Sequence, residues 1–553
     1  MRPHREEIME KPLILLRDIH VALTPDGARE HDLAAIEICK KRYRRTLKNA
    51  FGDADFYVYK KSIDARDRNK IEYIYTVAAQ PHESISEDKL QTLPRPFSFV
   101  RPYTPDFSAF SDAKREEERP VVVGFGPAGM FCAYALAKAG RKPVILERGS
   151  KIEERTQKVE AYWKAGILDE NTNVQFGEGG AGTFSDGKLL TRISDPLCGY
   201  ILRMFRAFGA PEEILYLAKP HIGTDKLRLV VKNMRKEIER LGGSFLFDTT
   251  LTGIVRQADG LVSSLRTSRG DIACSALFLC VGHSARDTFS SLMQSGILLS
   301  PKPFSVGVRV EHLQEDINRS LYGKFAGFPS LEPASYTLSA KIGSRAVYSF
   351  CMCPGGVVAA SASARDEIVT NGMSYYARDG KNANSAIAVS VDPADYGATV
   401  EGAVAFQRQI ECAAFMQAGG DSSAPIQLLG DFLNGTHSGE PNRILPTYTG
   451  KTKLCSLSEL FPIFISESLR AGFAVFEKHI AGFSVPDAVL TAPETRTSSP
   501  VRMDRAPERH SVSSLNIYPC GEGAGYAGGI TSAAVDGLKS ALQYLEYQSH
   551  GIR

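Results

Sequence analysis

Long hydrophobic runs are missing from this chain of 553 residues. The longest, around Val121 to Ala139, is broken by glycines and falls short of the roughly 20 apolar residues that a membrane-spanning helix needs. Near the start, Pro12 to Leu16 is apolar, but Arg17-Asp18 ends the stretch, so no secretory signal is expected. An excess of one charge is also missing. Lys and Arg number 66 against 63 Asp and Glu, a net +3 that gives no global pull toward nucleic acid. The ten cysteines are scattered without the spacing of a disulfide framework, which predicts reduced thiols in a cytoplasmic protein. No metal site is expected, and no internal repeat or low-complexity tract stands out. The remaining composition, 43% hydrophobic and 23% charged, is that of a globular protein, and the length predicts two or three domains.

What the chain does have is glycine in three places. The first is Val121-Val122-Val123-Gly124-Phe125-Gly126-Pro127-Ala128-Gly129, followed by Pro143-Val144-Ile145-Leu146-Glu147-Arg148-Gly149. The valines predict a buried parallel strand. Gly124 allows a tight turn, Gly126 lets backbone approach a pyrophosphate, and Gly129 lets the next helix lie close to the strand. That helix is expected to begin near Pro127 and to end at Gly140, with its free N–H groups and dipole toward phosphate. Glu147 closes a second short strand where an acid bonds a ribose hydroxyl, which favours an unphosphorylated ribose. The second stretch is Phe176-Gly177-Glu178-Gly179-Gly180-Ala181-Gly182-Thr183. The third is Cys520-Gly521-Glu522-Gly523-Ala524-Gly525-Tyr526-Ala527-Gly528-Gly529-Ile530. Three such loops suggest one long ligand, and FAD is the natural candidate.

The predicted organisation has an N-terminal α+β module and linker over residues 1–115. Strands are expected at Leu13 to Leu23, Phe56 to Tyr59 and Ile71 to Val77, with a helix over Ala28 to Leu47. Proline-rich and then charged sequence, ending in Ser111 to Glu118, marks a boundary. A Rossmann-like α/β domain of three layers follows, split between 116–285 and 512–553. It includes a helix over Leu229 to Leu241, a strand over Ser244 to Val255, a hairpin over Leu261 to Ile272 and an apolar run from Ala276 to Gly282. Residues 286–511 read as an inserted, strand-rich α+β cap or substrate domain. The basic cluster Lys40-Lys41-Arg42-Tyr43-Arg44-Arg45 lies on the N-terminal helix. A solvated face is its simplest reading, and contact with RNA or an anionic partner is the alternative.

Gly124 to Gly149 resembles the FAD-binding domain of glutathione-reductase-type flavoproteins. The whole chain is similar to a bacterial family described as FAD-dependent, or NAD-utilising, dehydrogenases. Further support comes from Phe184-Ser185-Asp186-Gly187-Lys188, Lys219-Pro220-His221-Ile222-Gly223-Thr224-Asp225, Phe350-Cys351-Met352-Cys353-Pro354-Gly355-Gly356 and Glu494-Thr495-Arg496. The resemblance implies an FAD-dependent oxidoreductase that exchanges a hydride or electron pair with a small substrate. It implies that Gly124, Gly126, Pro127, Ala128 and Gly129 meet the pyrophosphate, and that Glu147 holds the ribose with Arg148 beside the adenine. Gly179, Gly180, Ala181, Gly182 and Thr183 would close over the pyrophosphate and ribityl chain. Leu251 would lie at the adenine edge and Gly282 near the ribose. Gly521 and Glu522 would meet the ribityl and phosphate, and Gly528, Gly529 and Ile530 the pyrimidine end of the flavin. Glu522 stands where the common pattern has Asp. The rival reading is a non-catalytic flavin-binding assembly or RNA-associated factor.

NADH or NADPH is a candidate electron donor, although residues 286–511 contain no second strand–GxGxxG–helix unit. Candidate catalytic residues are His221, His312, Cys351, Cys353 and Arg496. The histidines titrate near neutrality. Arg496 and Arg502, with the polar segment Asn371, Tyr375, Arg378, Asn382 and Asn384, offer charge-assisted bonds to an anionic substrate. Cys351 and Cys353 follow a strand-like run, so both thiols are expected on one face. An i,i+2 disulfide is strained, and the helix setting that lowers a thiol pKa is missing. Replacing both with serine is therefore expected to leave the flavin bound and reducible.

Overall fold

The computed structural model describes residues 11–25, 27–110 and 119–549. Two compact units are present: Met1–Asp106 with Leu189–His221 and Ile317–Ala334, and Phe107–Lys188 with Ile222–Asp316 and Ser335–Arg553. The charged stretch Ser111 to Glu118 lies outside the described residues.

The first unit holds a four-stranded antiparallel sheet in the order Ala54–Asp64, Glu72–Pro81, Leu13–Ala22, Phe97–Val100. The helix Ala28–Thr46 covers it, burying His31, Ala35, Cys39 and Tyr43 at a spacing of four, one helical face. Tyr43 thus belongs to the core, edge-on to Phe56, while Lys41, Arg42, Arg44 and Arg45 are exposed and Lys40 pairs with Glu37 at 2.8 Å.

The second unit contains a five-stranded parallel sheet in the order Ile517–Pro519, Leu277–Leu279, Val121–Val123, Val144–Leu146, Ser244–Leu246. Residues alternate between its faces. Val121, Val123, Leu277, Leu279 and Ile517 share a core with Leu251, Val262 and Leu265 of a three-stranded antiparallel sheet. On the other face Phe278 meets Tyr544 of the last helix, Ile530–Ser549. That helix lies against Pro127–Lys138; a Cβ at Gly537 would fall 2.0 Å from the Ala128 carbonyl oxygen. The result is the expected α/β fold of three layers.

One expected strand divides. Ser244–Leu246 joins the parallel sheet, whereas Leu251–Arg256 joins the antiparallel one. Between them Asp248 adopts φ +51°, and its carboxylate accepts from the Ser150 hydroxyl at 2.7 Å. Continuous β-propensity across the stretch hides this turn, because its anchor lies far away in sequence.

Between the strands Leu277–Leu279 and Ile517–Pro519 the chain builds a seven-stranded sheet. Its order is Ser339–Ile342, Arg345–Cys353, Asn382–Val391, Phe304–Leu313, Val489–Glu494, Ala424–Leu428, Thr452–Leu454. Helices Val400–Gln417 and Ile463–His479 pack on it. No described helix is long and apolar enough to cross a membrane.

Candidate functional site

The three glycine loops meet. Gly124 has φ +94°, and a Cβ there would lie 2.3 Å from the Cys280 carbonyl oxygen, so only glycine fits the turn. A Cβ at Gly129 would lie 1.9 Å from the Gly124 carbonyl oxygen, which is the close helix–strand approach expected of it. The second loop presses on the first: Gly179 N donates to Phe125 O at 2.9 Å, and a Cβ at Gly180 would come within 2.9 Å of Gly126 Cα. It also meets the third, since a Cβ at Gly182 would lie 3.2 Å from Ile530 Cγ1. A Cβ at Gly523 would fall 2.3 Å from the Gly282 carbonyl oxygen.

These loops line a cradle. Gly282, Gly528 and Gly529 border open space, with nothing within 4 Å of a Cβ built on them. Gly124, Gly126, Pro127, Gly180, Ala181, Gly182 and Glu522 are partly exposed around it. Ala128 and Gly129 stand in the first turn of the helix Pro127–Lys138, whose N–H groups lack partners within the helix. Backbone donors, a helix N-terminus and room left by glycine fit a pyrophosphate. Gly179, Thr183, Leu251 and Gly521 are buried instead and support the cradle from behind. The Thr183 hydroxyl has no hydrogen-bond partner among the described residues, and its carbonyl accepts from the Thr224 hydroxyl at 2.8 Å.

Glu147 holds the loops together. Its Oε2 accepts from Phe125 N at 2.8 Å, and its Oε1 accepts from Gly149 N and Gly177 N, both at 3.0 Å. A carboxylate oxygen takes about two donors, so Oε2 keeps one acceptor position for a ribose hydroxyl. Arg148 stacks on Phe176, 4.3 Å from the ring centroid, and donates to Asp287 at 2.8 Å. A polar cleft of about 400 Å³ adjoins it, lined also by Lys158, Asp169, Thr172, Asp248 and Thr250.

Two candidate catalytic residues are buried among protein partners. Arg496 is buried and donates to Glu411, Glu367 and Ser363; Arg286 binds the same two carboxylates. Arg496 thus commits its Nε and Nη2 donors to carboxylates and one Nη1 donor to the Ser363 hydroxyl. His312 is 1% exposed; its Nε2 donates to Phe483 O at 2.7 Å, and burial lowers its pKa, so it stays neutral in the core. His221 is buried in the first unit. Arg502 is exposed and lies over Tyr526. Of the polar segment, Arg378 is paired with Asp186 at 2.6 Å, Asn382 donates to Glu311, and Asn384 accepts from Arg309; Tyr375 is exposed.

The thiols do not continue a regular strand. The pairing with Asn382–Val391 shifts between Phe350 and Cys353, and Cys351 has φ +45°. This bulge breaks the expected shared face. Cys353 is buried, while Cys351 is partly exposed. Lys188 Nζ lies 3.6 Å from Cys353 Sγ and 2.9 Å from Asp186 Oδ2. Arg309 Nη1 donates to the Cys351 carbonyl at 3.2 Å. The Cys353 thiol lowers the Cys351 pKa most; burial opposes it, and Lys188 and Arg309 assist, bringing it down to about 6. Cys353 Sγ donates to the Cys351 carbonyl oxygen at 3.2 Å, and Cys351 together with burial moves its pKa up, well above the usual thiol value.

Three further groups stand around the cradle. Burial pushes Glu522 up to about 7, with Lys302 opposing and Cys351 adding to the rise. His283 directly follows Gly282; burial, Arg496 and Arg286 bring it down to about 4, and its Nδ1 lies 2.9 Å from the Ser284 hydroxyl. Sequence reading missed His283, Lys302 and Lys188 as site residues. The signal for His283 and Lys188 was their place directly after Gly282 and Gly187; Lys302, in Pro301-Lys302-Pro303, had none.

A family model described as "FAD-dependent protein, C-terminal domain-like" matches residues 303–497. A protein of Clostridium beijerinckii, itself described as uncharacterized, is 44% identical over 524 residues, covering 94% of this chain and 97% of its own. Solved structures are more distant. CtdE in complex with FAD is 13% identical, with 79% of this chain and 88% of that one covered at a TM-score of 0.32. Glycine oxidase from Bacillus cereus is 10% identical, covering 79% and 97% at 0.31.

Proposed function

The chain belongs to the same family as the Clostridium beijerinckii protein and is an FAD-dependent protein; on that premise we propose that it is an oxidoreductase acting on a small organic substrate. The observation that carries this reading is the convergence of three glycine loops on one open cradle beside Cys351 and Glu522. When bound, FAD supplies a carrier for a hydride or an electron pair. Gly126, Pro127 and the first turn of the Pro127–Lys138 helix would hold its pyrophosphate, Glu147 Oε2 its ribose, and Gly528 and Gly529 its flavin end. Glu522, titrating near neutrality, holds or releases a proton at its carboxyl, and Lys302 steadies the charged form. Residues 286–511 serve as the substrate domain, and NADH or NADPH is the proposed donor. The setting is the cytoplasm.

The test is anaerobic. Protein carrying FAD is mixed with NADH, NADPH and a panel of small metabolites, and flavin absorbance is followed. Bleaching by at least one donor, with reoxidation by a second compound, is expected. A flavin that dithionite reduces but no donor does would favour the non-catalytic reading.

A further inference from the structure

Two cations stand beside the third glycine loop without a carboxylate to pair with. They come from a two-stranded antiparallel sheet of Leu299–Pro301 and Val501–Met503. Leu299, Val501 and Met503 turn inward to the core under the parallel sheet. Ser300 and Arg502 lie opposite each other and turn the other way. Lys302 N donates to Pro500 O at 2.9 Å, which carries the pairing one residue further. Lys302 is two positions from Ser300 and shares its face, so Lys302 and Arg502 are diagonal neighbours that long side chains bridge. The glycine loop runs along this strand: Met503 N donates to Ala524 O at 3.2 Å, and a Cβ at Gly525 would lie 3.0 Å from Val501 O.

Arg502 is held from behind. Its Nε donates to the Tyr526 hydroxyl at 3.2 Å, and its guanidinium lies 4.8 Å from the ring centroid. Arg505 lies over the same ring at 3.7 Å and is fixed by two bonds of 3.1 Å to Asp536. Asp536 in turn accepts from Gly521 N at 2.7 Å. Among the described residues, neither Nη group of Arg502 nor Nζ of Lys302 has a hydrogen-bond or ion-pair partner. The nearby acids do not neutralise them. Asp504 accepts from the Ser300 hydroxyl at 3.1 Å and pairs with neither cation. Glu522 is within electrostatic reach of Lys302, but burial pushes it up to about 7, so near neutrality it is not a full counter-charge. A guanidinium oriented through its Nε, with both Nη groups unused and an ammonium on the same face, fits two oxygens of one anion.

We propose that Arg502 and Lys302 form the binding site for a carboxylate or phosphate group of the substrate, beside the flavin end of the cradle. Arg502 supplies the bidentate fork, and Lys302 supplies a point charge. The inference rests on the proposed function and narrows its substrate to a small organic anion.

The experiment uses FAD-loaded protein and three probes of similar shape: benzoate, phenyl phosphate and uncharged benzamide. Calorimetry and the change in flavin absorbance measure binding without turnover. One of the two anions is expected to bind roughly tenfold or more tightly than benzamide, and the better one identifies the group. Added salt should weaken the anion and leave benzamide unchanged. Arg502→Met and Lys302→Met should each weaken the anion roughly tenfold, whereas Arg502→Lys, which keeps the charge and loses the fork, should fall between. Fold and FAD content are checked for each variant, and the comparison of probes on the parent needs no variant. Benzamide binding as tightly as both anions, no binding of any probe, or anion affinity unchanged in the methionine variants would each overturn the proposal. So would loss of FAD from either methionine variant, which would give these cations to the cofactor's own phosphates. Reduction of the flavin by a donor is scored separately, so the oxidoreductase reading and the anion site can fail independently.

Discussion

The glycine cradle and the inserted seven-stranded sheet belong to one compact unit but are held by different forces. Around the cradle, backbone meets backbone: Gly180 lies on Gly126, Gly129 on Gly124, and Gly523 on Gly282. Side-chain charge enters through Glu147, Arg155 and Asp536, each of which binds loop backbone, and through the Glu178–Arg235 pair. In the inserted sheet, charge is buried wholesale. Arg309 is 0% exposed against Glu494, and Arg496 and Arg286 share Glu411 and Glu367. A cofactor that brings its own phosphates needs room and donors, which glycine and a helix end supply. A sheet that carries buried guanidinium groups must neutralise them, because an unpaired buried ion costs several kcal/mol. The cradle should therefore respond to added volume, and the sheet to lost charge.

The sharpest way to break that contrast is Arg496→Met. It leaves Glu411 and Glu367 short of a cation and should cost about 3–5 kcal/mol. Urea unfolding at neutral pH reads it, and a loss under about 1 kcal/mol, the scale of an exposed pair, would show that the network is not buried in effect. Gly126→Val should act on the other side. The nearest protein atom to a Cβ there is Gly180 Cα at 3.7 Å, so the fold survives while the cradle fills. FAD affinity is expected to fall at least a hundredfold, about 2.7 kcal/mol. Equilibrium dialysis measures it, and a variant with stoichiometric FAD would misplace the pyrophosphate.

Glu522→Gln sharpens the contrast through pH, in FAD-free protein. Burial raises the folded-state pKa of Glu522 to about 7, above the ordinary carboxylate value. The folded state then binds the proton more tightly than the unfolded chain. The associated stability is present at low pH and is lost as pH rises through the window up to about 7. The parent and the variant should differ least near about pH 4, with the parent losing roughly 3 kcal/mol relative to the variant by about pH 8. Parallel urea midpoints across that range would contradict a raised carboxyl pKa. The smallest effect is expected from the double replacement Cys351→Ser and Cys353→Ser. These thiols belong to neither the glycine contacts nor the large ion-pair network, so FAD stays bound and dithionite still bleaches it. Loss of flavin on purification would tie them to the cradle after all.

Local chemistry made the cradle legible. A valine strand, a glycine turn, a proline at N1 and an acid closing the next strand are short-range signals, and Pro127–Lys138 and Glu147 stand where those signals put them. The same holds for the helix Ala28–Thr46 and the hairpin Val262–Thr267 with Gly270–Ala273, each set by periodicity or a turn. The alternation of Val121, Val122 and Val123 between two covered faces follows from strand geometry alone.

Where sequence reading fell short, the deciding partner lay far along the chain. Arg496 looked like an anion binder until Glu411 and Glu367 were brought to it, 85 and 129 positions away. His312 became a core residue because Phe483 O accepts a hydrogen bond from its Nε2 across 171 positions. Cys351 and Cys353 were read on one face because a strand pattern carries no mark of a bulge, and the register shift depends on Asn382–Val391 pairing across it. Lys188 came beside Cys353 only when its loop met the bulge, 165 positions on. From its sequence alone the chain determined where backbone must turn, run straight or leave room for phosphate, since those choices depend on neighbours a few residues apart. Only the tertiary structure decided which charges neutralise each other and which remain for chemistry. Coulomb energy and desolvation depend on distance and burial in space, and a linear sequence contains neither.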